Sequence, residues 1–141
     1  MLDPERGGSF SIRPQISGVQ SKQMYAAESN VLITRFLSVS ATAEVIDFMP
    51  LTASTQKREL VRIVRVIHGR IPFRLTCQPA FDYARSAHEI DQREDRGIFT
   101  PVNNQCCAML LRATVPLHAA KPACAVRGNL TGLRRPLRPK L

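Results

Sequence analysis

The chain has 141 residues, 44% of them hydrophobic, and a net charge of +9. That length and apolar content suit one globular domain with a buried core and exclude general disorder. No apolar run approaches the roughly 20 residues of a membrane-crossing helix. The charged, Gly-bearing start MLDPERGGSF is unlike a secretory signal, so a cytoplasmic protein without membrane attachment is expected.

The elements follow in chain order. Phe10 to Arg13 alternates apolar and polar and stops at Pro14, which predicts a short strand. Residues 15–29, QISGVQSKQMYAAES, are small and polar and read as a loop with one ragged strand at most. In VLITRFLSVSATAEVIDFMPL (31–51) two apolar runs flank a Ser-, Thr- and Ala-rich break. Val31, Ile33 and Leu37 share one face of the first run, and Leu32, Thr34 and Phe36 the other. In the second run Val45 and Asp47 oppose Glu44, Ile46 and Phe48. A β-hairpin follows, closed at Ser38–Thr42 without the usual Gly or Asn.

Residues 57–70, KRELVRIVRVIHGR, allow two readings. As a helix, Arg58, Arg62 and Arg65 would form one basic stripe for a nucleic-acid groove. Five of the seven residues from 61 to 67 are β-branched, however, which favours a strand. Gly69 then breaks it, and Ile71–Cys77 supplies the next. QPAFDYAR (78–85) reads as an extended loop. The segment from His88 to Arg96 mixes Glu89, Asp91, Glu94 and Asp95 with Arg93 and Arg96, and reads as a solvated loop or short helix. Cys106–Leu111 and Ala113–Leu117 give one or two final strands. Strand after strand without a long helix predicts an all-β, antiparallel sandwich over residues 1–118.

The remainder differs in character. Residues 96–141 hold eight of the twenty Lys and Arg and none of the eleven acids. AKPACAVRGNLTGLRRPLRPKL shows no strand alternation and carries Lys121, Arg127, Arg134, Arg135, Arg138 and Lys140. Residues 119–141 therefore read as a disordered basic tail able to bind anions non-specifically. A small nucleic-acid-binding module acting through this tail is the alternative function.

Motifs for chemistry are sparse. Cys77, Cys106, Cys107 and Cys124 contain no C-x-x-C pair, and His68, His88 and His118 lie too far apart for a metal motif. Reduced thiols without a metal are expected. A single RGG at Arg6–Gly8 is a weak nucleic-acid signal. Glu44, Asp47 and Asp82 are the carboxylates worth weighing, because glycoside hydrolysis needs two of them across one cleft. Sugar clefts also use aromatic platforms, and the chain has no Trp and only Tyr25 and Tyr83. Asp47 therefore reads as a hairpin-end cap accepting backbone N–H groups near Pro50.

Several spaced segments agree with one family. LDPERGGSFSI (2–12), NVLITRF (30–36), EVIDFMPL (44–51), LVRIVRVIHGRIPFRLTCQP (60–79) and FDYAR (81–85) occur in its order. The chain resembles the N-terminal β-sandwich domain of family 15 glycoside hydrolases, the bacterial glucoamylase- and trehalase-like enzymes, over residues 2–117. The resemblance implies a β-domain packed on an (α/α)6 barrel, which carries the general acid and base glutamates and hydrolyses α-glucosidic bonds with inversion. At about 1.5 Å of rise per helical residue such a barrel needs several hundred residues. No family catalytic residue falls on this sequence, so no catalytic, metal or cofactor site is expected, and the barrel is the missing partner. The sequence departs from the family where a strand usually precedes Leu2, at Val39–Ala41 in place of Asp-Gly, and at Pro79–Arg85, where PAFDYAR replaces P-R-F-D-Y-G-R. The acid-free terminus resembles the product of a lost reading frame. DNA past the stop, read in another frame, is expected to encode more of the family.

Overall fold

The computed structural model describes residues 7–51, 58–103, 107–120 and 125–132. Arg6, Cys106, Lys121, Cys124 and residues 133–141 lie outside them, and with them the RGG reading and most of the basic tail. The described residues form antiparallel sheets with no α-helix, in agreement with the expected class.

In chain order the strands are β1 (Ser9–Pro14), β2 (Gln20–Tyr25), β3 (Leu32–Leu37), β4 (Thr42–Phe48), β5 (Val61–His68), β6 (Ile71–Gln78), β7 (His88–Arg93), β8 (Arg96–Pro101), β9 (Met109–Arg112), β10 (Leu117–Ala120) and β11 (Ala125–Gly132). They build three sheets, ordered β1-β6-β11-β10, β2-β3-β4-β5 and β7-β8-β9. The chain divides into two compact units. One holds the described residues of Met1–Arg13 and Phe73–Leu130, the other those of Pro14–Pro72 and Thr131–Leu141.

The second unit is a meander. Register pairs Arg35 with Glu44 and Glu44 with Arg65, and on the opposite face Leu32 with Asp47 and Asp47 with Arg62. The β3–β4 turn works without Gly because Ser38 replaces it. Its Oγ donates to the Ala41 carbonyl at 3.0 Å and accepts from the Ala41 N–H at 3.0 Å. Ala43 and Val45 are buried on one face of β4. Within the 57–70 stretch Val61–His68 is a strand, so Arg62 and Arg65 point to opposite faces and form no helical stripe.

Among the elements that the sequence marks weakly, β2 is the ragged strand allowed within residues 15–29. It is an edge strand with five of its six residues exposed, so no apolar alternation marked it. The predicted loop at His88–Arg96 is a hairpin. His88, Ile90 and Gln92 are half-buried and Glu89, Asp91 and Arg93 exposed, a period-two pattern hidden because two of the three inward residues are polar. Glu94 and Asp95 make the turn, and their carbonyls accept from the Leu117 and Ala113 N–H groups at 2.9 and 3.0 Å. Finally, β11 lies within the predicted tail. Its backbone pairs with β10 from Leu117–Gly128 to Ala120–Ala125, and the sheet hydrogen bonds supply what the side-chain pattern does not signal.

In the first unit the buried side chains include Ile12, Phe73, Leu75, Cys77, Phe99, Pro101, Leu111 and Leu117, with Ser86 as a buried polar residue. Along β6, Ile71, Phe73, Leu75 and Cys77 are buried and alternate with the more exposed Pro72, Arg74, Thr76 and Gln78, a clear inside-outside pattern.

β5 and β6 are consecutive but belong to different sheets. Between Ala43 and Thr42 the partner on β5 jumps from Val66 to His68, leaving Ile67 as an extra, bulged residue. Gly69 follows with φ +70°. A Cβ there would collide with the Ser40 carbonyl oxygen and lie 3.0 Å from Ala41 Cα. Gly69→Ala is expected to destabilise the chain by about 1–3 kcal/mol, from positive φ and the backbone clash together. A urea unfolding curve measures it.

Candidate functional site

The candidate carboxylates are Glu44, Asp47 and Asp82. Glu44 and Asp47 are three residues apart on one strand and therefore face opposite sides of the sheet. They cannot flank one scissile bond as a catalytic pair.

Glu44 is 1% exposed. It sits between Arg35 on β3 and Arg65 on β5, directly opposite it in the register. Arg35 Nε and Nη2 both donate to Oε1, at 2.9 and 2.6 Å. Arg65 Nε and Nη2 both donate to Oε2, at 3.2 and 2.5 Å. Each oxygen thus accepts a forked pair. The two arginine side chains are 42% and 60% exposed while the carboxylate between them is covered. Burial alone would raise the Glu44 pKa. The hydrogen bonds and positive charge of Arg65 and Arg35 outweigh it, and the net direction is down from the ordinary 4.5.

Asp47 accepts a bidentate pair from Arg62, Nε to Oδ1 at 2.8 Å and Nη2 to Oδ2 at 3.0 Å. The expected backbone cap near Pro50 is therefore replaced by a cross-strand ion pair. The reason is register: β5 places Arg62 opposite Asp47, and a planar guanidinium matches a carboxylate better than a single N–H.

Asp82 lies in a single turn, Asp82–Ala84. Asp82, Tyr83 and Ala84 all have positive φ, at 47°, 54° and 66°. Left-handed backbone costs a non-Gly residue about 1–2 kcal/mol. Hydrogen bonds from the Arg85 N–H to the Asp82 carbonyl (3.0 Å) and from the Ser86 N–H to the Phe81 carbonyl (3.3 Å) close the turn. Arg85 also donates from Nη2 to Asp82 Oδ1 at 2.9 Å and from Nε to the Asp82 carbonyl at 3.1 Å. Below the turn, the His88 ring packs edge-on to Phe81 (5.4 Å) and to Phe99 (5.7 Å).

Cys77 is a buried free thiol, and burial pushes its pKa up to about 11. Among the described residues no three His, Cys, Asp or Glu side chains come together in a way that could hold a metal ion.

On the β2–β5 sheet, Glu44 and Asp47 are thus both held by arginines of neighbouring strands. The sequence profile of the family described as trehalase-like, N-terminal, matches residues 1–114. The chain belongs to that family of glycoside-hydrolase-related domains. It is 33% identical over 124 residues to Trehalase 1 of Sulfolobus acidocaldarius, an alignment covering 86% of this chain and 20% of that protein. It is 30% identical over 99 residues to Trehalase 2 of the same organism, covering 70% and 16%. The chain thus spans about a fifth of the length of these relatives. No solved structure matches it.

The sequence singled out Glu44, Asp47 and Asp82 but did not pair them with arginines, and it offered Arg62 and Arg65 only as a helical stripe. The Arg35–Glu44 pair follows from the hairpin once its register is known. Arg62 and Arg65 depend on the β4–β5 register, which the connection through residues 52–57 hides.

Two outcomes are expected. Glu44→Gln leaves two guanidinium groups sharing a neutral amide and costs about 1–3 kcal/mol, moderated by their exposure. Because the folded pKa of Glu44 is depressed, its contribution is fully present above pH 4.5 and is lost as pH falls through the lower folded value. Urea midpoints measured from pH 6 to about 3 should therefore fall less steeply in Glu44→Gln than in the parent chain. Ala84→Gly relieves a left-handed residue and should raise stability by about 0.5–1 kcal/mol after the entropy cost of glycine, read as a higher unfolding midpoint.

Proposed function

We propose that this chain acts as the non-catalytic β-domain of a trehalase-like glycoside hydrolase that cleaves α-glucosidic bonds. In this reading it supports an (α/α)6 barrel that carries the catalytic glutamates and is not among these 141 residues. A cytoplasmic location belongs to the same proposal.

The observation that carries the proposal is the state of Glu44. A glycosidase general acid needs a carboxyl group whose pKa is raised, so that it holds a proton near neutrality. Glu44 is held in the opposite direction by two arginines. Asp47 is locked bidentate to Arg62 on the other face. The family match to trehalase-like N-terminal domains supports the same reading.

The purified chain is expected to release no glucose from trehalose or maltose between about pH 3 and 8, followed by a coupled glucose assay. Enzyme-dependent release with a bell-shaped pH profile would overturn the proposal.

Nucleic-acid binding through the basic terminus remains the second reading, favoured by the acid-free residues 96–141. Its arginine stripe is dissolved, since Arg62 and Arg65 are occupied by carboxylates on opposite faces. Binding of this kind weakens steeply with salt. It should vanish when Arg134, Arg135, Arg138 and Lys140 are replaced by Gln, a change that spares β10 and β11.

A further inference from the structure

The Asp82–Ala84 turn combines three features. Its backbone is left-handed at three successive non-Gly residues. At its tip Tyr83 is 84% exposed. The Arg85 guanidinium carbon stands 5.8 Å from the centroid of the Tyr83 ring and steadies one face, leaving the other to solvent. Strained backbone held in place by its surroundings is characteristic of positions that contact ligands.

The geometry points to a sugar-contact site, in which the open face of Tyr83 receives the apolar face of a neutral hexopyranose beside the Asp82–Arg85 pair. The pair is mutually neutralised at 2.9 Å, so the tip carries no net charge for an ionic ligand. Asp82 Oδ2 and Arg85 Nη1 have no further partner among the described residues, and they supply an acceptor and a donor beside the ring. A flat aromatic surface flanked by planar acceptor and donor groups matches the alternating C–H and O–H faces of a pyranose. The choice of a sugar over another apolar ligand rests on the trehalase-like reading above. The catalytic question does not enter, because the tip only binds.

The test is an NMR titration of the tyrosine ring signals of the full chain with trehalose, to about 100 mM, the range in which a single stacked sugar binds. Saturable shifts of the Tyr83 signals are expected. Tyr83→Ala should weaken binding at least about tenfold, followed on the Ser86 amide. Tyr83→Phe, which keeps the ring, should stay within about threefold, and Tyr25→Ala should change nothing. Absence of saturable shifts in the parent chain, or equal affinity in Tyr83→Ala, overturns the site. Loss of binding in Tyr83→Phe as deep as in Tyr83→Ala overturns stacking as its basis. Failure here leaves the non-catalytic reading intact, since that reading falls only on glucose release.

Discussion

A single buried carboxylate organises the β2–β5 sheet. Glu44 stands on β4, between β3 and β5, and arginines from both neighbours close over it. Slipping either β3 or β5 by one residue would turn its arginine to the other face and leave buried Glu44 with only one of its two arginines and one oxygen unpaired. The cluster therefore selects a register more than it adds net stability. Asp47 and Arg62 repeat the device between β4 and β5 on the opposite face, so both faces reject the same slip.

The device matters because the apolar pattern alone is weak here. β3 is half-buried along nearly its whole length and β5 never exceeds half-burial, so neither has one clean hydrophobic face. In such strands alternation fixes register poorly, and directional ion pairs take over the role. A carboxylate used in this way is unsuited to proton transfer. Two forked guanidinium groups hold it ionised, whereas acid catalysis needs the neutral form stabilised. Structural duty and catalysis make opposite demands on the same group, and Glu44 answers the first.

Legibility followed the physics of each segment. β6 was readable because IPFRLTCQ alternates cleanly between core and surface. β3 and β4 were readable because runs of β-branched and aromatic residues flank a short break. β7 was hidden because His88 and Gln92 occupy its inward positions. Each is polar yet accommodated, His88 by packing edge-on against two phenylalanine rings and Gln92 by donating to the Leu117 carbonyl at 2.5 Å. β2 was faint and β11 hidden because an edge strand and a terminal strand can be held by backbone hydrogen bonds that side chains do not advertise. At the site, sequence identified the acids. The bases that neutralise them lay beyond reach, since pairing across strands is a property of register.

The FDYAR turn shows the reverse case, in which local sequence argues against the structure formed. Asp tolerates left-handed backbone, but Tyr and Ala do not favour it. The conformation is imposed from outside. The Phe81–Ser86 bridge fixes the two ends, and the packing of Phe81 and Phe99 about His88 fixes the base. With so few residues between the anchors, the chain can reverse only by a tight turn. Arg85 then bonds back to both the carbonyl and the carboxylate of Asp82, which stabilises the left-handed form against its extended competitors. At Ala84, where the family pattern has Gly, the surrounding contacts hold a residue that would relax if they were absent. The turn is thus a consequence of its anchors, and its exposed tyrosine is held more firmly than exposure alone would suggest.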